Sequence, residues 1–255
     1  MKYCDPRYAF MFRKVFAYNK DLMLSFLNAL LPLEDDRMIE EIEFLTPDMV
    51  PELPDLAYFS VVIVRCTDKT GAVFLVEIQL VWSEEFRSRI QFNASNVSMS
   101  PVMKWKKHEL HQPLYSLNMV NDIFKTDLPE NEYYHYFQQV QERDSGKTVD
   151  GLHLIFIELP KFKPNTTSNK RMRVLWLRFL TEVNESAKNV DEELLSEPMI
   201  HKAVKLLEKY ELTPDECYWY DKSIDSVRVE RALMRESKKK GYAEGKKEGV
   251  EIGRS

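Results

Sequence analysis

Apolar positions near the amino terminus follow the spacing of helices. They recur at three- and four-residue intervals over residues 20–31, which predicts a helix that ends at Pro32. Before it, Asp5 followed by Pro6 predicts the start of a shorter helix, with the aspartate as N-cap and the proline in the first turn. Two helices are therefore expected ahead of the first strand.

The next segments have the pattern of β-structure. Residues 39–46 predict a short strand, and residues 46–56, with three prolines, predict a loop. Two β-branched runs follow at 59–66 and 73–80, separated by the sequence Asp-Lys-Thr-Gly at 68–71. A glycine at the end of such a turn supplies the positive φ that a tight connection needs, so the two runs predict a β-hairpin.

The remainder of the chain alternates between both patterns. A helix is expected from Ser83 to about Pro101, strands at 114–120 and 152–159, mainly helix from 172 to about 210, and a last helix from about Ile224. This order predicts an α/β fold, in which a mixed sheet is flanked by helices and followed by an α-helical carboxy-terminal region.

The second hairpin strand carries two polar residues that a buried strand does not require. Alternation places Glu77 and Gln79 on one face, and a three-residue loop at 69–71 would set Ile63 directly opposite Glu77. Two carboxylates on neighbouring strands, with a third polar group, form a magnesium-dependent phosphodiesterase site. Here the second carboxylate is missing, because residue 63 is isoleucine. The alternative is that Glu77 and Gln79 simply face solvent or a hydrogen-bonded helix.

Glycine and charge are unevenly distributed. Four of the seven glycines, Gly241, Gly245, Gly249 and Gly253, lie at intervals of four in the last fifteen residues, so the body lacks glycine-rich phosphate loops. The total net charge is −5, but residues 231–255 carry eight lysines and arginines against four glutamates, which leaves −9 on residues 1–230. Any basic footprint for nucleic acid must therefore be local.

Two short segments have such local basic character. They contain Lys104, Lys106 and Lys107 around Trp105, and Lys161, Lys163, Lys170, Arg171 and Arg173. These side chains are weak candidates for contacts with a DNA backbone, and the alternative is ordinary solvated surface. His108 and His111 have the spacing of a helical zinc pair, but without a nearby third ligand a polar surface is the simpler interpretation.

The positions of the cysteines and the hydropathy of the chain indicate the cellular compartment. Cys4, Cys66 and Cys217 are odd in number and widely spaced, which fits neither a disulfide framework nor a cysteine zinc site. No stretch approaches the ~20 apolar residues that span a bilayer, and the first residues lack an apolar signal core. The sequence predicts a cytoplasmic protein without a membrane partner.

Many segments in the same order resemble one family, the PD-(D/E)xK nuclease family transposases, also called recombination-promoting nucleases. They include YCDPRYAFMFRKVF, SFLNALLPL, VRCTDKTGAVFLVEIQ, QPLYSLNMVNDIF and VLWLRFLTEVNE, and they cover nearly the whole chain. The resemblance implies a restriction-endonuclease-like core that cuts DNA with Mg²⁺, using an aspartate and an E-x-Q signature.

The resemblance also implies where the site lies and what it lacks. The E-x-Q signature falls on Glu77, as metal ligand, and Gln79, as the group that orients water or phosphate, while the family's aspartate falls on Ile63. An acidic position of the first helix falls on Ala9, and a polar, lysine-containing stretch is replaced by residues 56–59. Asp55 and Asp68 are weak substitutes for the missing carboxylate.

Two functional hypotheses follow from these departures. In the first, the chain descends from a Mg²⁺-dependent DNA endonuclease and is catalytically impaired, because one carboxylate leaves the ion mostly hydrated. In the second, it is a non-enzymatic module that binds DNA or a partner and regulates active relatives.

The predicted organisation has three parts. Residues 1–160 form the nuclease-like core, residues 161–230 a helical region packed on it or appended to it, and residues 231–255 a charged tail. Glycine at every fourth position of this tail would form one helical stripe but costs about 1 kcal/mol each relative to alanine. The tail is expected to be disordered, or helical when it meets another copy or a helical partner.

Overall fold

A six-stranded mixed sheet carries the fold. The structure is a computed structural model that describes residues 2–33, 38–45, 61–66, 72–99, 113–123, 129–141, 144–164 and 171–252. Its strands are β1 (Ile42–Phe44), β2 (Val61–Cys66), β3 (Val73–Gln79), β4 (Leu114–Val120), β5 (Tyr134–Gln141) and β6 (Asp144–Glu158). The spatial order is β1-β2-β3-β4-β6-β5, with β3, β4 and β6 parallel to one another and the other pairs antiparallel.

Helices cover both faces of this sheet. They are α1 (Ala9–Phe16), α2 (Lys20–Leu30), α3 (Glu84–Met99), α4 (Arg171–Glu182), α5 (Glu192–Ser196), α6 (Pro198–Leu206) and α7 (Pro214–Ile252). Helix α3 packs on one face, and the helices of both chain ends cover the other. The predicted mixed sheet, flanking helices and helical carboxy-terminal region are confirmed.

The main core joins the two ends of the chain. Phe16 and Phe26 pack against each other and against Trp176 of α4, with ring centroids 4.4–5.5 Å apart. All three side chains are fully buried, and each such burial contributes about 1.5–3 kcal/mol. The helical region after residue 160 is thus packed into the same core as the amino-terminal helices.

Several polar residues lie near the carboxyl ends of the parallel strands, at one end of the sheet. Glu77 of β3 pairs in register with Asn118 of β4, and Gln79 pairs with Val120, which in turn pairs with Glu158 of β6. Because β3, β4 and β6 run the same way, their carboxyl ends meet at this end. In parallel α/β sheets this end is where functional side chains gather.

Two element boundaries differ from the sequence prediction at the amino terminus and in α7. Helix α1 begins at Ala9, because the Asp5 carboxylate accepts hydrogen bonds from the Arg7 amide and guanidinium and does not cap a helix. Helix α7 begins at Pro214 and not near Ile224. A reciprocal pair of hydrogen bonds between Thr213 and Glu216 caps it, the arrangement of a capping box.

The edge strand β5 was not expected from the sequence, and β6 is longer than the predicted 152–159. Residues 134–141 read YHYFQQVQ, in which three glutamines interrupt the alternation of apolar positions, and among the described strands they pair with β6 at the sheet edge. Within the described ranges, no helix is both long and apolar enough to cross a membrane.

Tyr220 of α7 ties the two ends of the chain together. Its side chain is 1% exposed, its hydroxyl accepts a hydrogen bond from the Asp5 amide, and the same hydroxyl donates to Glu185.

Tyr220→Phe is expected to lower the free energy of unfolding by about 1–3 kcal/mol, because the buried Asp5 amide loses its acceptor. Urea unfolding measures this, with the exposed Tyr210→Phe as the matched control; equal effects of the two changes would contradict it.

Candidate functional site

Glu77 lies at the centre of a small polar cluster under helix α3. Its side chain is buried, with the residue 3% exposed, and its Oε1 accepts a hydrogen bond of 2.6 Å from Nη2 of Arg89. The same Nη2 lies 3.2 Å from Oε1 of Gln79. Helix α3 positions the arginine, and the Ser83 hydroxyl accepts the Phe86 amide at its start, as predicted for this N-terminus.

Gln79 connects this group to the last helix. Its Nε2 donates a hydrogen bond of 2.9 Å to Oε1 of Glu230 on α7. These contacts link β3, α3 and α7. We call the group the Glu77 cluster, and its members are Glu77, Gln79, Arg89 and Glu230. The Arg89 guanidinium is hydrogen-bonded to Glu77, and its charge also acts on Glu230, 153 positions further along the chain.

Burial governs the protonation of both carboxylates. Burial raises the pKa of Glu77 above its ordinary value of 4.5, and the charge and hydrogen bond of Arg89 oppose this rise. Burial likewise raises the pKa of Glu230, against the charges of Arg89 and Arg231. The positive charge of Arg89 thus stabilises the ionised form of both glutamates against the cost of burial.

The observed register of the hairpin differs from the predicted pairing of Ile63 with Glu77. Val61, not Ile63, lies directly opposite Glu77, and Ile63 pairs with Leu75. The reason is the loop length: the Cys66 amide donates to the Ala72 carbonyl at 2.7 Å, so five residues, 67–71, connect the strands and not three. Ile63 remains on the same face as Glu77 as its diagonal neighbour, at a Cα separation of about 7–8 Å.

The surroundings of Ile63 are apolar. The residue is 3% exposed and belongs to a buried cluster with Leu75 of β3 and with Ala94 and Val97 of α3. No oxygen ligand is contributed by this position. Where the resemblance implies a second metal-binding carboxylate, the sheet and α3 are joined by hydrocarbon contacts.

The described residues around Glu77 do not fit the Mg²⁺ site that the resemblance implies. Magnesium requires several hard oxygen ligands, yet the Glu77 carboxylate is engaged by a guanidinium and its diagonal neighbour is isoleucine. Among the residues that the structure describes, no three His, Cys, Asp or Glu side chains are grouped so that they could hold a metal. Arg89 supplies the positive charge at Glu77 instead.

A cavity of about 590 Å³ adjoins the cluster. Gln79 and Arg89 line it, together with Ala9 of α1 and Glu230 of α7. Ala9, where the resemblance implies an acidic residue, therefore faces the same space as the E-x-Q glutamine. The replaced residues 56–59, and the candidate substitutes Asp55 and Asp68, lie outside the described residues.

The basic candidates from the sequence have varied positions. The described residues do not include Lys104, Lys106, Lys107, Lys170, His108 or His111. Arg173 donates to the Ala29 carbonyl and lies over the Tyr134 ring at 4.5 Å, and Lys161 is buried against Glu158. Arg171 is exposed, 3.9 Å from Glu193. Contact of any of these side chains with DNA stays a prediction.

Sequence reasoning missed Arg89 and Glu230. A signal for Arg89 was available, because it follows Phe86 by three residues and precedes the buried Asn93 by four, which places it on the inward stripe of α3. No comparable signal existed for Glu230, which lies in a polar helix and reaches Gln79 only through the tertiary fold.

Comparison with known proteins identifies the family. The family model described as PD-(D/E)XK nuclease family transposase matches residues 6–236, so the chain belongs to this family and its core is restriction-endonuclease-like. A search of the curated proteins finds no match, and a search of the solved structures finds none either.

Proposed function

We propose that this chain is a catalytically impaired member of its family that retains DNA binding and has lost metal-dependent strand cleavage. One observation carries the proposal: Arg89 neutralises Glu77 while Ile63, where a second carboxylate would stand, is packed among hydrocarbon side chains. Hydrolysis of a phosphodiester by this class of site needs two carboxylates to hold the metal that activates water. Among the described residues, the two hairpin strands offer one such carboxylate, Glu77, and it is already paired with Arg89.

Without metal-dependent strand cleavage, the role that remains for this chain is binding of DNA. DNA is the substrate that the nuclease family suggests, and a protein with an intact core and an impaired site can still compete for DNA or regulate active relatives. Cys4 and Cys66 are buried and form no disulfide, and burial raises the pKa of Cys4 to about 11. Buried cysteines without a disulfide are typical of proteins in a reducing compartment, so we place this function in the cytoplasm.

The second candidate is a residual divalent-metal-dependent endonuclease. The retention of both E-x-Q side chains, Glu77 and Gln79, in contact with the same guanidinium favours it. In that case Glu77 would be the metal ligand and Gln79 would orient water or phosphate.

Purified full-length protein distinguishes the two candidates. We expect no nicking of supercoiled plasmid above background with Mg²⁺ or Mn²⁺, no saturable heat of metal binding by calorimetry, and binding of DNA in an anisotropy assay. The affinity for DNA should fall with added salt, because phosphate contacts release counterions.

Glu77→Gln is the control, since it keeps the shape of the side chain and removes its charge. Impaired chemistry predicts the same background nicking for this variant and for the native chain. Metal-dependent nicking by the native chain that Glu77→Gln abolishes would overturn the proposal in favour of the enzyme.

A further inference from the structure

The cavity beside the Glu77 cluster has the dimensions of a binding site for a small ligand. Its volume of about 590 Å³ lies within the roughly 300–1,000 Å³ that is typical of such sites. Helix α1 and the residues around it form one wall, α7 forms the other, and Ile78, Gln79 and Leu80 at the end of β3 form the floor. A DNA duplex is too large for this space, whereas a single nucleotide fits it.

The lining of the cavity is cationic in a body that is acidic. Among the described residues that line it, four are cations, Arg7, Arg13, Arg89 and Lys222, and one, Glu230, is a carboxylate. Asp5 lies against Arg7 and Glu77 against Arg89, so carboxylates behind the lining partly compensate these two cations. Because residues 1–230 carry a net charge of −9, this excess of positive charge marks a local site for an anion.

Aromatic rings stand at the opening of the cavity. Trp219 and Tyr18 both line it and are 54% and 74% exposed, so a large part of each side chain is accessible to a flat ligand, although Trp219 also contacts the Tyr218 ring. The Ser226 hydroxyl and the Lys222 ammonium lie on the same wall as Trp219. Exposed aromatic side chains beside cations are the combination that stacks a nucleobase and holds its phosphate.

Helix α7 bounds the cavity along its length. Its side chains hold this stretch against the rest of the protein: Glu216 is paired with Lys14, Tyr220 is bonded to Asp5, and Glu230, which itself lines the cavity, is bonded to Gln79. A DNA strand that continued past the wall formed by α7 would have to displace this helix. A strand that ends in the cavity would not.

We infer that this cavity binds the terminal nucleotide of a DNA strand through its end phosphate. A terminal phosphate carries a charge of about −1.5 to −2 at neutral pH, more than an internal phosphodiester, and so gains more from the cationic lining. The inference rests on the proposed DNA-binding function and deepens it, because it selects strand ends as the DNA feature that is recognised.

The test uses fluorescence anisotropy with the full-length protein at fixed ionic strength. The probes are one short single-stranded oligonucleotide with an internal label, carrying a 5′-phosphate, a 3′-phosphate or hydroxyls at both ends. We expect one phosphorylated form to bind about tenfold more tightly than the hydroxyl form, and 2′-deoxyadenosine 5′-monophosphate to displace it. The two phosphorylated forms show which end is bound.

Two variants assign the preference to the cavity. Lys222→Glu reverses a charge in the lining and is expected to abolish the preference for phosphate; Lys238→Glu, an exposed lysine farther along α7, is the matched control and should keep it. Trp219→Ala should weaken binding of the phosphorylated probe about tenfold through the loss of stacking.

The outcomes separate this inference from the proposed function. Equal affinity for phosphorylated and hydroxyl probes, or equal effects of the two lysine changes, would overturn the inference and leave DNA binding in place. Failure of the native chain to bind any of the probes would remove the DNA-binding function and this inference together.

Discussion

Replacing Ile63 with aspartate is expected to make the stability of this protein depend on Mg²⁺. Without metal, the new carboxylate lies in an apolar cluster beside Glu77, and we expect the free energy of unfolding to fall by about 3–5 kcal/mol, as for a buried charge without a partner. The new carboxylate then joins Glu77 and Glu230 near the single guanidinium of Arg89, so a divalent cation is favoured at this place. Metal in hundredfold excess over its Kd would restore about 2.7 kcal/mol.

Thermal unfolding of Ile63→Asp at increasing Mg²⁺ measures this effect, and plasmid nicking by the same variant shows whether chemistry returns with the metal. We expect the Tm of the variant to rise with Mg²⁺ and that of the native chain to stay level. Nicking should appear only in the variant, because Glu77 and Gln79 are already in position on β3.

Two controls separate a metal site from a general response to salt. Ile63→Asn introduces a polar side chain of the same size as aspartate without its charge, and Val73→Asp buries the same charge in the same cluster but four residues from Glu77 along β3. Neither should respond to Mg²⁺. A rise in Tm with Mg²⁺ for Ile63→Asn equal to that for Ile63→Asp would refute the explanation.

Strong local patterns made much of the fold predictable. The apolar run at 114–120 is bounded by proline and asparagine, and it is the observed strand β4 (Leu114–Val120). Strand β5 was missed, because an edge strand that pairs with one neighbour tolerates polar residues, and its position depends on β6. Local sequence thus specified the buried elements better than the exposed one.

The candidate site was predictable in position and not in detail. Glu77 and Gln79 stood out as polar residues in a strand made for burial, and the structure places both in one hydrogen-bonded cluster. The predicted register of the hairpin was wrong by two residues, because the loop length is set by the Cys66–Ala72 contact and not by the glycine alone. Glu230 depends on the packing of α7, which no local pattern encodes.

Replacing Arg89 with methionine is expected to destabilise the protein by about 3–5 kcal/mol at neutral pH, because the buried Glu77 loses the charge that compensates it. Methionine keeps an unbranched apolar side chain, and it also removes the cation–π contact of the guanidinium with the Phe86 ring, in which Cζ lies 5.1 Å from the ring centroid. Urea unfolding from about pH 4.5 to about pH 7.5 measures the loss.

The pH dependence of this loss has a definite sign. The pKa of Glu77 is raised in the folded state, so its favourable contribution is complete below the ordinary value of 4.5 and disappears as the pH rises through the folded value. Removal of Arg89 raises that folded pKa further. The variant should therefore approach native stability near pH 4.5, where the glutamate is protonated, and fall increasingly below it toward neutral pH.

The double variant Arg89→Met with Glu77→Gln is the matched control, because a neutral amide needs no counter-charge. It should recover much of the lost stability and flatten the pH dependence of the difference from the native chain, and Glu230, whose pKa burial also raises, contributes to the slope that remains. A loss of stability in Arg89→Met that is the same at every pH would instead show that Arg89 acts through packing on Phe86. In that case Arg89 would not be the cation that replaces a metal at Glu77, and the reason for expecting an impaired site would rest on Ile63 alone.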